Sequence, residues 1–249
     1  MTHSIVMNPV DQWEPIVVNS HRSFIEPGFL LCAGSIYARE FSGEEFSTAE
    51  TIPAVERKFC FFPQAAEVVA TRSGFDLPSL FMPRDGWNGE YVGLLGQDPL
   101  RRGDWWAPTL TCCNPWGLSW AGNRTKRFGK MVWSIIDGIT SKGYAVYLTD
   151  LAKIFVESRS LQKTPDLVRA EQTVFKAEVS AVSPRLWVTF GGSASRGATE
   201  ILGDASRLVE LPHPNARGHY LRDYFALNVG SQEAIADAML GRILFQLAE

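Results

Sequence analysis

The chain has 249 residues, of which 45% are hydrophobic and 20% are charged, so it can bury a large core and disorder is not indicated. No apolar run approaches the ~18 residues that a membrane span needs, and the N-terminus has neither a basic nor an apolar segment that could act as a signal. We therefore expect a cytoplasmic protein with no membrane partner. The formal net charge of −3 argues against broad coating of nucleic acid, although a basic stretch at Arg124, Lys126, Arg127 and Lys130 could be a local phosphate-binding face or a solvated surface.

Four cysteines, Cys32, Cys60, Cys112 and Cys113, fit no zinc spacing. The vicinal pair cannot easily bridge to itself, so buried or unreactive thiols are the simplest interpretation. We expect neither a structural metal nor a cofactor.

Residues 1–90 are rich in aromatic residues, proline and glycine and contain no sharp chemical motif. Helical pieces are expected around residues 49–57 and 64–72. We therefore predict a mostly helical N-terminal extension, over residues 1–90, that packs on a core formed by residues 91–249, within a single domain overall.

From residue 91 onward, short apolar runs alternate with helical stretches. The predicted strands are 91–96, 144–149, 185–190 and 207–211, and the predicted helices are 123–141, 165–182, 193–202 and 231–247. Pro165 suits a first helical turn with Thr164 as a possible N-cap, and Ser231 is the expected cap of the last helix. This alternation predicts an α/β fold, a three-layer α/β/α sandwich with a central four-stranded parallel sheet.

Ligands bind at the carboxyl ends of the strands in open parallel sheets. Here those ends read Gly96-Gln97-Asp98-Pro99, then Asp150, then Gly191-Gly192-Ser193, then His213-Pro214-Asn215. Three of the four ends therefore offer a titratable or hydroxyl side chain to one rim, which is how such folds assemble an active site.

The first and last of these ends also carry a family resemblance. Gly96-Gln97-Asp98-Pro99 matches GQDP of the signature GQDPYH of the uracil-DNA glycosylase superfamily, and His213-Pro214-Asn215 resembles its HPS motif. Between them, residues 117–120 (GLSW) look like the GLCF segment, and residues 147–150 (YLTD) look like the strand end that bears the base-binding Asn. The resemblance covers residues 90–249, and it implies a uracil-DNA glycosylase-like fold whose partner is DNA, acting as a monomer.

The resemblance implies a monofunctional DNA glycosylase, which flips one base out of DNA and hydrolyses its bond to the sugar. Asp98 would position the attacking water and stabilise the cationic sugar, while His213 donates a hydrogen bond to the pyrimidine O2. The base-binding residues are Gln97, Leu100, Trp120 and Asp150. Trp120 could instead be a core residue, with Trp116 and Trp106 as rival stacking platforms.

DNA contacts are expected on either side of the pocket. Pro99 stiffens the first turn, and the loop after His213 supplies Pro214 and the candidates for filling the vacated stack, namely Asn215, Ala216 and Arg217. Ser193 and Ser195 could offer donors to phosphate oxygens, although an ordinary Gly-Ser turn explains them nearly as well.

Two departures from the family concern the choice of base. Leu100-Arg101 stands where uracil-excising members have Tyr-His, so the gate against a C5 substituent is altered or open, and Asp150 stands where they have Asn. An ionised Asp150 could accept from cytosine N4–H₂, and a protonated one could pair with uracil or donate to cytosine N3. We predict excision of a cytosine with a C5 substituent, hydroxymethylated or glucosylated as in some phage DNA, and a role in antiviral defence. The alternatives are uracil excision in base excision repair, and a shifted register in which Asp150 only caps the next helix.

Two rival classes remain. A non-catalytic member of the fold could bind DNA or a protein, although retention of Asp98 with His213 argues against it. A serine hydrolase using Ser193 has little support because the sequence after Gly191-Gly192-Ser193 lacks the last glycine of a nucleophile elbow. We expect no Schiff-base lysine and hence no strand cleavage.

Overall fold

The computed structural model describes residues 5–22, 27–42, 54–55, 73–98, 110–113, 116, 118, 127–156, 165–203, 207–228 and 231–249. Within these ranges the chain forms a mixed six-stranded sheet and a smaller four-stranded sheet, together with helices that pack on the larger one. The helical piece expected at residues 64–72 lies outside the described residues.

The six-stranded sheet positions the candidate site. Its strands, in spatial order, are β1 (Ile5–Met7), β4 (Ser79–Pro83), β7 (Ala145–Asp150), β5 (Tyr91–Gly96), β9 (Leu186–Phe190) and β10 (Leu208–Leu211). The last four run parallel to one another, whereas β4 pairs antiparallel with β7 and β1 pairs antiparallel with β4. The carboxyl ends of four neighbouring strands therefore meet at one edge.

The predicted α/β fold is confirmed, and the four predicted strands form the continuous parallel block. The sheet is wider than the predicted four strands because β1 and β4, both from the first ninety residues, extend it on one side. The residues of β4, flanked by Pro78 and ending at Pro83, are all buried. A buried run of this kind lacks the alternation that marks a half-exposed strand, so the sequence pattern did not reveal it.

The second sheet was not predicted. Its spatial order is β2 (Ala54–Val55), β6 (Leu110–Cys113), β3 (Ser73–Asp76) and β8 (Ile154–Val156). The helix expected over residues 49–57 is wrong at Ala54 and Val55, which pair with β6 as a strand. Pairing with a distant segment overrode a weak local preference for helix.

The described helices are α1 (Val10–His21), α2 (Pro27–Phe41), α3 (Arg127–Thr140), α4 (Pro165–Val182), α5 (Gly192–Leu202), α6 (Gly218–Tyr224) and α7 (Gln232–Ala248). Helices α3 and α7 pack on each other, and α1 packs on α4. Helix α4 has the predicted bounds and begins at Pro165. The Ser231 cap is confirmed, since its hydroxyl oxygen accepts from the backbone N–H of Ala234 at 3.1 Å. Helices α1, α2 and α6 were not predicted.

Apolar spacing explains how α3 packs. Its buried residues recur every three or four positions and so form one face of the helix, namely Met131, Val132, Ile135, Ile136 and Ile139. Strands β7 and β9 are buried along their whole length, as expected for parallel strands covered on both faces. The core therefore lies between the sheet and its helices.

In the part of the chain that the structure describes, no helix has the length and apolar character needed to cross a membrane. Cys32, on α2, is a free thiol and is exposed, whereas composition favoured buried or unreactive cysteines.

Candidate active site

The segment after β5 is held against the end of β7 by backbone pairing that continues past both strands. Gly96 lies opposite Asp150 in the parallel ladder. The N–H of Leu151 then donates to the Gly96 carbonyl at 2.9 Å, and the N–H of Ala152 donates to the Gln97 carbonyl at 2.9 Å. These bonds fix the backbone that leads to Asp98. The Gln97 side chain is exposed.

Asp98 acts electrostatically on His213, although the two residues follow strands that lie on opposite sides of β9. Asp98 is half-buried and follows β5, and His213 follows β10 at the surface. Partial burial lowers the pKa of His213 below its ordinary value, and the negative charge of Asp98 offsets this only in part by raising it. The imidazole is therefore neutral at pH 7, with a carboxylate nearby.

Two contacts fix the orientation and the tautomer of the His213 ring. The backbone N–H of Asn215 donates to His213 Nδ1 at 3.1 Å, so in the neutral ring the proton is on Nε2. The ring also stacks on Phe128, with 5.8 Å between centroids and 7° between planes. His213 can thus present an N–H donor from Nε2.

Asp150 is buried at the carboxyl end of β7, with 3% of its surface exposed. The indole Nε1–H of Trp116 donates to its Oδ1 at 3.0 Å. Gly96 leaves the space for this pair: a Cβ on Gly96 would overlap Asp150 Oδ1 and would lie 2.7 Å from Trp116 Nε1. The first glycine of the GQDP motif is therefore required sterically.

Behind Asp150 a buried lysine holds its backbone. Lys153 Nζ donates to the Asp150 carbonyl at 2.6 Å, to Thr149 Oγ1 at 2.9 Å and to the Glu178 carboxylate at 2.5 Å. Lys153 is 2% exposed and Glu178 is fully buried. Glu178 also accepts from the hydroxyls of Tyr147 and Thr149, at 3.1 and 3.0 Å, so the buried carboxylate is well satisfied.

Helix α1 completes this cluster. His21 Nε2 lies 3.5 Å from Glu178 Oε1, and its Nδ1 lies 2.8 Å from the hydroxyl of Ser20. Burial, together with the positive charge of Lys153, lowers the pKa of His21 to about 3. The cluster therefore consists of one Lys–Glu ion pair and a neutral histidine, with the N-terminal region in direct contact with the support of Asp150.

The predicted DNA-contacting residues differ in exposure. In the loop after His213, Asn215 and Arg217 are exposed, Ala216 is half-buried and Pro214 is buried. Ser193 is exposed at the start of α5, and Arg196 Nη2 donates to its hydroxyl at 3.4 Å. Ser195 is only 7% exposed, so the Ser193 hydroxyl is the one presented at the surface.

Arg127 connects the predicted basic stretch to this loop. It is exposed at the start of α3, next to Phe128, and a Cβ on Gly218 would lie 3.2 Å from its Nη2. Gly218 follows Arg217 directly. Arg127 and Arg217, from distant parts of the sequence, therefore both lie close to Gly218, in the segment that follows His213.

Several predicted residues lie outside the described residues, namely Pro99, Leu100 and Trp120, the rival stacking candidate Trp106, and Arg124 and Lys126 of the basic stretch. Sequence reasoning missed Phe128 because a single aromatic in the first turn of a helix resembles any core residue. It also missed Lys153, whose only sequence signal is its place three residues after a strand-end carboxylate. Among the described residues, no group of three or more His, Cys, Asp or Glu could hold a metal ion.

Comparison with known families identifies one matching domain. The model of the Uracil DNA glycosylase superfamily matches residues 90–232, which is more than half of the chain. The matched segment runs from the residue before β5 to the start of α7 and contains Asp98, Asp150 and His213. No curated protein matches the chain.

Proposed function

The chain belongs to the uracil DNA glycosylase superfamily, and on that premise we propose that it is a monofunctional DNA glycosylase that excises a C5-substituted cytosine. The observation that carries the catalytic part is the fixed, neutral ring of His213, whose Nδ1 accepts from the Asn215 N–H, at the sheet edge where Asp98 also lies and acts on it electrostatically. When an N-glycosidic bond breaks, positive charge develops on the sugar and negative charge on the base. An anion, Asp98, suits the first charge, and a fixed N–H donor, His213, suits the second.

Each residue has one role in the reaction. As the C–N bond breaks, its electron pair moves onto the base and positive charge builds on the sugar. Asp98 stabilises that charge and orients the water that attacks C1′, while His213 donates from Nε2 to the oxygen that becomes negative. A neutral imidazole can act as such a donor without transferring a proton. The products are a free base and an abasic site, and no lysine nucleophile is invoked.

The basic side chains around His213 support DNA as the substrate. Arg127 and Arg217 are exposed and both lie close to Gly218, next to the loop proposed to enter the vacated stack. Arginine favours phosphate oxygens because its planar fork donates two parallel hydrogen bonds. Asn215 and Arg217 are the exposed residues that we propose fill the space left by the flipped base.

The choice of base rests on Asp150. Its Oδ1 already accepts from Trp116, whose indole N–H can only donate. An ionised carboxylate has only acceptors, so it suits the exocyclic amino group of cytosine and opposes the O4 of uracil. In the sequence, Leu100 stands where the family has Tyr, and we propose that this replacement lets the site accept a hydroxymethyl or glucosylated group at C5. Such bases occur in phage genomes, and we therefore propose a role in antiviral defence.

A substrate panel tests both parts. Purified protein is incubated under single-turnover conditions with single- and double-stranded DNA carrying uracil, cytosine, 5-hydroxymethylcytosine or its glucosylated form, and mass spectrometry identifies the released bases. We expect release of a substituted cytosine, and loss of release in Asp98→Asn. Release of uracil alone would overturn the proposed specificity, whereas no release of any base would overturn the glycosylase activity and favour a non-catalytic, DNA-binding role.

Asp150→Asn separates base choice from catalysis. An Asn can still accept from Trp116 through its carbonyl oxygen, and its amide can donate to uracil O4. We expect the ratio of uracil release to substituted-cytosine release to rise at least about tenfold, in line with one charge-assisted hydrogen bond. An unchanged ratio would show that Asp150 does not contact the base.

A further inference from the structure

Trp116 has a backbone conformation that a bulky residue rarely adopts. Its φ is 62°, in the left-handed region that favours glycine. Such a conformation raises the free energy of the folded state and persists only where surrounding contacts determine it. Strained residues are frequent at binding sites. The contacts of the Trp116 side chain therefore indicate which interaction the strained backbone serves.

Three side chains hold the indole in place. It meets Phe190 edge-on, with 5.4 Å between centroids and 74° between planes, and meets Phe128 at 5.7 Å and 57°. Its Nε1–H donates to Asp150 Oδ1 at 3.0 Å. Phe128 is the ring that stacks on His213, so the indole lies between Asp150 and the aromatic support of the imidazole.

The hydrogen bond makes the two oxygens of the carboxylate different. An indole N–H has no acceptor capacity, so Oδ1 is the accepting atom of this pair. The missing Cβ at Gly96 allows both side chains to lie against β5, which restricts rotation of the carboxylate. Phenylalanine at position 116 would preserve an aromatic ring there but would lose the hydrogen bond to Asp150 Oδ1.

We infer that Trp116 is a positioning residue for base choice, and that its hydrogen bond to Oδ1 holds the Asp150 carboxylate in one orientation toward the base. This inference rests on the proposed glycosylase function and deepens it. Trp116 acts through Asp150, and its removal is therefore expected to lower discrimination between bases more than it lowers the rate of bond cleavage.

The test compares Trp116→Phe with Trp87→Phe. Trp87 also donates from its indole, to the Glu90 carbonyl at 3.2 Å, but it lies before the amino end of β5, at the opposite end of the strand from Gly96. We expect W116F to reduce the ratio of kcat/KM between the preferred base and its nearest competitor about tenfold or more, as loss of a hydrogen bond to a charged group implies. W87F should leave that ratio unchanged.

A second measurement is independent of cleavage. Equilibrium binding of DNA carrying the preferred base on a 2′-fluoro sugar, which resists hydrolysis, should weaken in W116F relative to the same DNA carrying an abasic site. Trp116→Leu also lacks the donor, so it serves in both measurements if W116F does not fold. In an Asp150→Ala background, the effect of W116F on the base ratio should disappear, since its target is gone.

The outcomes separate the two proposals. If the wild-type protein releases no base, the glycosylase proposal and this inference fail together. If the wild type releases a base and W116F changes all bases by the same factor, or acts additively with D150A, the inference about Trp116 fails while the glycosylase function stands.

Discussion

The rings of His213 and Phe128 lie parallel, with their centroids 5.8 Å apart and 7° between their planes. Phe128 covers one face of the imidazole, and the N–H of Asn215 holds its edge at Nδ1. The same phenyl ring contacts Trp116, which binds Asp150. One aromatic side chain therefore links the proposed catalytic donor to the proposed base-binding carboxylate.

The first prediction concerns the pH dependence of base release. The pKa of His213 is lowered by burial, so the neutral donor persists at pH 6.5, and single-turnover rates should fall only below that pH. Phe128→Leu uncovers the ring and should move this acid limb to higher pH. An Asn side chain can donate a hydrogen bond without titrating. H213N should therefore have a lower rate that no longer falls where the His213 ring becomes protonated. A rate that rises on acidification would show that the protonated ring is the active form.

The second prediction concerns Gly96. Alanine there would place its Cβ against Asp150 Oδ1 and Trp116 Nε1, both of which are fixed by their own contacts. We expect G96A to lower the free energy of unfolding by about 1–3 kcal/mol and to abolish base discrimination.

Gly241 provides the matched control for this substitution. It lies in α7 with no atom within 4 Å of an added Cβ. G241A should leave activity unchanged and raise stability by up to about 1 kcal/mol, measured by urea unfolding. Equal effects of the two alanines would contradict the steric role of Gly96.

The third prediction concerns the buried ion pair. Lys153→Met leaves the Glu178 carboxylate without its cation, and we expect a loss of about 3–5 kcal/mol in the free energy of unfolding. The double variant K153M/E178Q should lose less than the single one because no unpaired charge remains. Arg185→Met, at an exposed pair with Glu90, should change stability by about 0–1 kcal/mol. A K153M protein as stable as the wild type would refute the pairing.

The fourth prediction concerns acid stability. His21 is neutral in the folded protein with a pKa of about 3, whereas in the unfolded chain it titrates near 6.5. Below pH 6.5 the unfolded state therefore binds the extra proton, and stability falls as the pH falls toward 3, by up to about 1.4 kcal/mol per pH unit. His21→Gln should flatten the profile below pH 6.5, where the wild-type stability falls. Substitution of the exposed His219 should leave the slope intact.

The fifth prediction concerns DNA affinity. Removing Arg127 or Arg217 should weaken binding to all sequences and reduce the slope of log K against log salt by about 1 for each phosphate that the side chain neutralises. Fluorescence anisotropy over a salt series measures this. Arg185, before the amino end of β9, is the matched control, and R185A should leave the slope unchanged. Unchanged slopes in all three variants would place the DNA elsewhere.

Local signals were sufficient for the parallel half of the molecule. Strand–helix alternation, a proline at the first turn of α4 and a serine cap on α7 each depend on neighbouring residues, and the structure bears them out. The juxtaposition of Asp98 and His213 could be expected for the same reason, because parallel strands place their carboxyl ends at one edge.

Long-range relationships were not predictable in this way. Strands β1 and β4 are recognisable only through the partners that they pair with, and the role of Phe128 depends on a ring 85 positions along the sequence. Nothing near Lys153 indicates that it binds a carboxylate 25 residues away. Contacts between residues that are far apart in the sequence cannot be predicted from the local sequence alone.

The contact between α1 and the Lys153–Glu178 pair bears on how the domain shared with the family can be engineered. The segment shared with the rest of the superfamily begins at residue 90, yet His21 and Ser20 cover a carboxylate in its interior. A fragment trimmed to the shared segment would admit water to that carboxylate and lose two strands of its sheet. Grafting the proposed base-binding site onto another scaffold would therefore require transplanting the first helix as well.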